Sequence, residues 1–189
     1  MEDRILIVSA SEKSADTLTH ILKRCGWSEI DRALGGASCK RLAMRTIYDL
    51  IIINAPLKDC HGSDLAADFV NETNTSVVLI VKSDILEITE SKVEDDGVIV
   101  VPKPLQQRDF LRAVRLSLAN RRRMKRLIEN SMKFEKKYEE LRLVSRAKCV
   151  LIEKQNMTEQ EAHRFIEKQA MDKRESKSII AADIIKNNM

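Results

Sequence analysis

Four stretches within the first 120 residues are almost unbroken runs of apolar, mostly β-branched side chains: Arg4–Ser9 (RILIVS), Asp49–Asn54 (DLIIIN), Ser76–Lys82 (SVVLIVK) and Val98–Val101 (VIVV). Continuous rather than alternating apolarity marks strands covered on both faces, as in a parallel sheet. A weaker strand is expected at Glu29–Leu34. Between the runs, Ser14–Cys25, Ser38–Ile47, Ser63–Asn71, Ile85–Val93 and Gln107–Leu118 carry helical spacing; Leu18, Ile21, Leu22 and Cys25, for instance, share one face. Five strands alternating with five helices predict an α/β domain over residues 1–120, a doubly wound, flavodoxin-like five-stranded parallel sheet. Its functional edge is expected at the carboxyl ends of the strands.

The pattern changes at about Leu105, and from there to Gln155 there is no proline or glycine. Met124, Leu127, Ser131, Phe134, Tyr138 and Leu141 recur at alternating spacings of three and four, an a/d seam that Ser131 weakens. A lone helix would leave Phe134 and Leu141 without a partner. Residues 121–142 are therefore expected to form a coiled-coil linker helix, with Met124, Leu127, Phe134, Tyr138 and Leu141 as the seam of a homodimer.

Residues 143–189 predict a three-helix bundle. Its first helix is the end of the coil, with Val144, Ala147, Lys148 and Leu151 on one stripe, broken at Asn156-Met157. Thr158-Glu159-Gln160-Glu161 is a capping box that opens the second, whose buried face should be Ala162, Phe165, Ile166 and Ala170. Ser176 is placed to cap the third, with Ile179, Ile180, Ala182, Ile184 and Ile185 as its apolar residues. Ala147, Ala162, Ala170 and Met171 are expected to pack. So small a core is expected to lean on the dimeric coil.

Composition narrows the choice of function. Aromatics are 4% of the chain, too few for an aromatic base-stacking sheet. The four cysteines, Cys25, Cys39, Cys60 and Cys149, are scattered; no zinc site or disulfide framework is implied, and a reducing cytoplasm is the expected compartment. No apolar run is long enough to span a bilayer. With five glycines and no nucleophile–base pairing or metal cluster, no enzymatic activity and no cofactor are expected. The net charge of +4 is unevenly spread: residues 121–148 hold 11 basic and 4 acidic side chains, while residues 149–189 hold 7 of each. Arg121-Arg122-Arg123 with Lys125-Arg126 reads as a solvated helix face, or as a patch that steers RNA.

Residues 3–120 resemble the response-regulator receiver domain of two-component systems. ILIV in the first strand, DLIIINAPLKDCHG around the third and VVPKP after the fifth carry the resemblance. The family places an acidic pair after strand one, a phosphorylated Asp ending strand three, a hydroxyl ending strand four and a lysine after strand five. Those positions fall here on Ser9 and Ala10, Asn54, Val81 and Lys103. Magnesium seeks carboxylate oxygen, which Ser9 and Ala10 lack, and an amide at Asn54 is no phosphoryl acceptor. Asp59 lies beyond Pro56 in the loop, and Glu2 and Asp3 lie at the wrong end of the first strand. The resemblance thus implies a pseudo-receiver, kept for dimerisation or for binding a regulatory protein partner.

Residues 143–186 resemble the ANTAR family of transcription antitermination regulators. Arg146-Ala147-Lys148, Leu151, Thr158-Glu159 with Glu161-Ala162, Gln169-Ala170-Met171-Asp172 and Ile180-Ala181 carry this second resemblance. Cys149, Ile152 and His163 depart from the family pattern. The resemblance implies binding to paired hairpins of a nascent leader mRNA, by side-chain readout of loops together with basic contacts to phosphate. Arg146, Lys148, Gln169, Lys173, Arg174, Lys177 and Ser178 are the candidate contacts; for each, a solvated surface charge is the competing assignment, and the Lys148 stem could instead lie along the apolar stripe. A DNA-binding response regulator would need Arg, Asn or Gln along a recognition helix, where the third helix here is mostly Ile and Ala. A protein-interaction adaptor built on the pseudo-receiver and coil is the other alternative.

Overall fold

The structure, a computed structural model, describes residues 3–73 and 75–187; Glu2, one of the acidic residues weighed above, lies outside them. The chain divides into two units, residues 1–125 and 126–189.

In the first unit, β1 (Ile5–Ser9), β2 (Ile30–Ala33), β3 (Leu50–Asn54), β4 (Ser76–Lys82) and β5 (Ile99–Lys103) form one sheet in the order β2-β1-β3-β4-β5, every pairing parallel. Burial on both faces explains the continuous apolar runs of β1, β3 and β4, whereas in the edge strand β5 only Val101 is fully covered. Along β1, β3 and β4, alternate residues point to opposite layers. Leu6, Val8, Ile51, Ile53, Val77 and Leu79 pack with Cys39, Leu65 and Phe69 from α2 (Gly36–Ala43) and α3 (Gly62–Glu72), and with Val93 of α4 (Leu86–Val93). Ile5, Ile7, Leu50, Ile52, Val78 and Ile80 pack with Leu18 and Leu22 of α1 (Glu12–Arg24) and with Phe110, Val114 and Leu118 of α5 (Gln107–Gln155). β2, an edge strand, has two exposed residues in its centre, Asp31 and Arg32, which is why its sequence signal was weak. The segment expected as one helix from Ile85 begins as a 3-10 turn, Ser83–Ile85, and only then becomes α4.

Helix α5 runs unbroken for 49 residues, so the segment read as Gln107–Leu118 and the linker segment are one element. With no glycine or proline, nothing in the sequence interrupts the hydrogen-bond ladder. It stops before Asn156, whose φ of 52° lies in the left-handed region that Asn tolerates.

In the second unit, the C-terminal part of α5 joins α6 (Glu159–Lys173) and α7 (Lys177–Asn187). Val144, Ala147, Leu151, Ala162, Ile166, Ala170, Ile180, Ala181 and Ile185 form a core of mostly small side chains. The capping box forms as the sequence predicts: the Glu161 N–H donates to the Thr158 hydroxyl at 3.3 Å, and the Thr158 N–H donates to the Glu161 carboxylate at 2.8 Å. The Ile179 N–H reaches the Ser176 hydroxyl at 3.4 Å, so Ser176 caps α7. Three packing expectations need correction. Met171 is 78% exposed, and on α7 Ala181 is buried while Ile179 and Ala182 are exposed. Met171 falls one residue past Ala170 and points away from it, because successive helical residues turn about 100°. The same turn places Ala181, rather than Ala182, beside Ile180 and Ile185.

Candidate nucleic-acid interface and the degenerate sheet edge

The seven residues expected to meet nucleic acid do not form one cluster. Lys148, on α5, pairs with Glu159 in the first turn of α6 at 2.9 Å, and its side chain is 21% exposed. The pair holds the Glu159 carboxyl below the usual glutamate range, with the Lys148 hydrogen bond as its main cause. Lys148, Glu159, Gln160, His163 and Arg164 line a hollow of about 380 Å³. Lys173 lies at the opposite end of α6, about 20 Å away along the axis at 1.5 Å per residue. There Lys173 and Arg174 are exposed, and Lys177 and Ser178 are half-buried at the start of α7. Lys177 is ion-paired with Glu167 at 2.6 Å, and the Ser178 hydroxyl shares a hydrogen bond with Ser176 at 2.8 Å. Gln169 is half-buried on α6, and Arg146 is exposed on α5.

Arg174 has a backbone feature that the charge pattern did not reveal. It closes α6 in the left-handed conformation, φ 54° and ψ 39°, with its N–H directed to the carbonyls of Ala170 and Met171. Glycine or asparagine is the ordinary residue at such a cap, because a larger side chain crowds its own carbonyl there. An exposed arginine thereby stands at the α6–α7 turn.

The seam side chains Met124, Leu127, Phe134, Tyr138 and Leu141 are all more than half exposed on α5, Phe134 by 73%. None of them belongs to the apolar core of either unit.

At the carboxyl edge of the sheet, Ser9 and Asn54 face each other in register across β1 and β3. The Asn54 amide donates to the Ser9 hydroxyl at 3.0 Å, and that hydroxyl donates to the Ser11 carbonyl at 3.1 Å. Val81 is buried at the end of β4, and Ala10 is half-buried. Lys103 ends β5 with its ammonium donating to the Ala55 carbonyl. Asp59, the nearest loop carboxylate in sequence, is engaged elsewhere. It accepts from the N–H groups of Gly36 and Ala37 at 3.0 and 2.9 Å, and these bonds pull its pKa below the ordinary aspartate value. A Cβ on Gly35 would stand 2.5 Å from the Asp59 carboxylate, and one on Gly36 would stand 2.5 Å from the Cys60 sulfur. The two glycines are what let this loop close on α2. Among the described residues, no group of three or more His, Cys, Asp or Glu is placed to hold a metal ion.

Residues 133–185 match the ANTAR domain family. Over 182 residues, 96% of this chain and 89% of the relative, the sequence is 24% identical to "Transcriptional regulatory protein PdtaR" of Mycobacterium tuberculosis. The sheet and its helices resemble solved receiver domains. The signal receiver domain of an HD domain-containing protein from Pseudomonas fluorescens Pf-5 superposes with a TM-score of 0.60 at 21% identity, covering 66% of this chain and 93% of that one. A CheY-like response regulator receiver domain from Methanospirillum hungatei JF-1 gives 0.59 at 20% identity, covering 66% and 99%. One end of the chain thus matches the ANTAR domain family over residues 133–185, and the other has the fold of solved receiver domains.

Proposed function

We propose that this chain is an RNA-binding transcription antitermination regulator, acting as a dimer on hairpins of a nascent leader transcript and independently of aspartate phosphorylation. The observation that carries the reading is the ANTAR match over residues 133–185, on a helical unit with a core of its own. The family is regulatory rather than an enzyme class. Among the described residues no helix is long and apolar enough to cross a membrane.

Support for nucleic-acid contact comes from the α6–α7 turn, where Lys173 and Arg174 stand exposed and Lys177 begins the next helix. A left-handed residue that is neither Gly nor Asn is an outlier from which a functional reading can start. Here the outlier is a guanidinium, suited to bidentate phosphate or base-edge contact. Support for a dimer comes from the exposed seam of α5, which a second copy would cover. Support for independence from phosphorylation comes from Asn54, Ser9 and Ala10 standing where the chemistry needs carboxylates. A regulatory protein docking on the receiver-like unit would then replace that input.

The test is a binding titration of the full chain with a two-hairpin leader RNA and with duplex DNA of equal charge, at matched salt. Preference for the RNA by tenfold or more is expected. Preference for duplex DNA would favour a DNA-binding regulator, and non-specific affinity for both would favour a protein-interaction adaptor.

A further inference from the structure

Within the first unit, α5 carries a basic stripe on the side turned away from the sheet. Arg108, Arg112 and Arg115 follow at spacings of four and three, which keeps them within about 60° of one another around the helix. Each stands two residues before a buried one, Phe110, Val114 or Ser117, and so lies about 200° round from it. Phe110 and Val114 pack against the sheet, and all three arginines are exposed. Arg122 falls on the same side two turns later, where its guanidinium pairs with Asp3. Among the described residues, none of Arg108, Arg112 and Arg115 is ion-paired. From Gln107 to Arg126 the sequence has eight basic residues and a single acidic one, Asp109, about 100° round from Arg108. Like charges three and four residues apart destabilise a helix, so a bound polyanion would relieve a repulsion built into α5.

We infer that this stripe is a second contact for RNA, holding the sugar-phosphate backbone of a stem without reading its sequence. The inference rests on RNA being the ligand, as proposed above, and adds a surface outside the ANTAR match. Arginine suits the role, since its guanidinium donates two parallel hydrogen bonds to a phosphate. Over the ~10 Å from Arg108 to Arg115, at 1.5 Å per residue, a duplex presents several phosphates. The arrangement also favours nucleic acid over an acidic protein. Leu111, half-buried, and Leu116, 51% exposed, line an open hollow with the three arginines but flank the stripe on either side. A protein interface has apolar residues at its centre and charge at its rim. Here the charge is central, as at strongly positive nucleic-acid interfaces.

Titration of the full chain with a blunt, loop-free RNA duplex across a sodium chloride series tests the inference. Replacing Arg108, Arg112 and Arg115 together with Gln should lower the slope of log affinity against log salt by about 2 to 3, and weaken binding at low salt roughly tenfold or more. Lysine at the same three positions should restore most of the slope, because the charge is kept. Arg41→Gln with Arg45→Gln removes two exposed charges from the region of α2 and should leave the slope unchanged. Trp27 fluorescence reports the fold; should the triple variant not fold, Arg112→Gln alone should lower the slope by about one. Preference for two-hairpin RNA over the duplex, which tests the second unit, should survive the triple substitution. A parent that lacks this preference yet binds the duplex through the three arginines would count against antitermination and for the stripe. The inference is overturned if the parent does not bind the duplex, if the folded triple variant binds like the parent, or if the α2 variant loses as much. It is overturned in favour of an acidic protein partner if polyglutamate of equal charge binds through the three arginines more tightly than the duplex.

Discussion

The Asn54 carboxamide donates a hydrogen bond to the Ser9 hydroxyl at 3.0 Å, tying the carboxyl ends of β3 and β1 together through two neutral groups. Both are buried, so the bond satisfies polar atoms that would otherwise be costly to enclose. A charged pair there would need a metal ion or a cationic partner to offset its burial.

This neutral pair yields the first prediction. Acetyl phosphate with magnesium should leave the intact mass of the protein unchanged. Asn54→Asp alone should also remain unmodified, because Ser9 and Ala10 still supply no carboxylate for the metal. A gain of one phosphoryl group mapped to residues 50–60 of the parent protein would refute the reading.

The exposed seam yields the second. Replacing Phe134 and Leu141 together with lysine would place charge where a dimer needs apolar packing. Light scattering should then report a monomer, while the receiver-like unit keeps its fold, read from the fluorescence of Trp27, the sole tryptophan. A double variant that stays dimeric at micromolar concentration would move the dimer interface away from α5.

The third concerns RNA. Lys173 and Arg174 are exposed and outside the core of their unit, so replacing both with Ala should weaken hairpin binding with little change in thermal unfolding, under ~0.5 kcal/mol for surface positions. Each lost phosphate contact should reduce the slope of log affinity against log salt by about 0.7 to 0.9. An unchanged slope and affinity would shift attention to Arg146 and the Lys148 end of α6. Lys148→Met is less clean as a first probe, because it also breaks the pair with Glu159.

The capping box supplies the fourth. Thr158→Ala should cost about 1 kcal/mol of helix stability, seen in far-UV circular dichroism while the Trp27 signal is unchanged. Acid should act on the same unit. Glu161 has a lowered pKa, chiefly from the backbone bond with Thr158, and Glu167 has one chiefly from Lys177. A depressed carboxylate contributes its stability above the unfolded pKa and loses it as pH falls through the folded one. Melting of the second unit should therefore be flat near neutrality and decline below the ordinary glutamate range. A melting temperature that rises on acidification would contradict the assignment.

How much of this was legible in the sequence follows from how local each signal is. β1, β3 and β4 announced themselves because burial on both faces leaves only apolar residues. Thr158 and Glu161 did so because a capping box is complete within four residues. Asp31 and Arg32 hid β2, since an edge strand keeps polar side chains in water. The list of basic residues in the second unit could be read from composition and from the family resemblance, but its arrangement could not. Lys148 meets Glu159 and Lys177 meets Glu167 across separations of 11 and 10 residues, and only the packing of the helices sets those distances. The role of Asp59 at α2 spans 23 residues and left only the Gly35-Gly36 pair as a trace. Lys82 beside Lys103 depends on β4 and β5 being neighbours, which the chain order alone did not specify.

The left-handed cap at Arg174 also bears on how this protein could be improved or damaged. Automated stabilisation would select that position early, since a glycine there relieves backbone crowding of about 1 kcal/mol. Such a variant would melt higher and look sound in every assay of folding. It would also lack the exposed guanidinium at the end of α6, so selection for robustness alone would erode the surface on which recognition is proposed to depend.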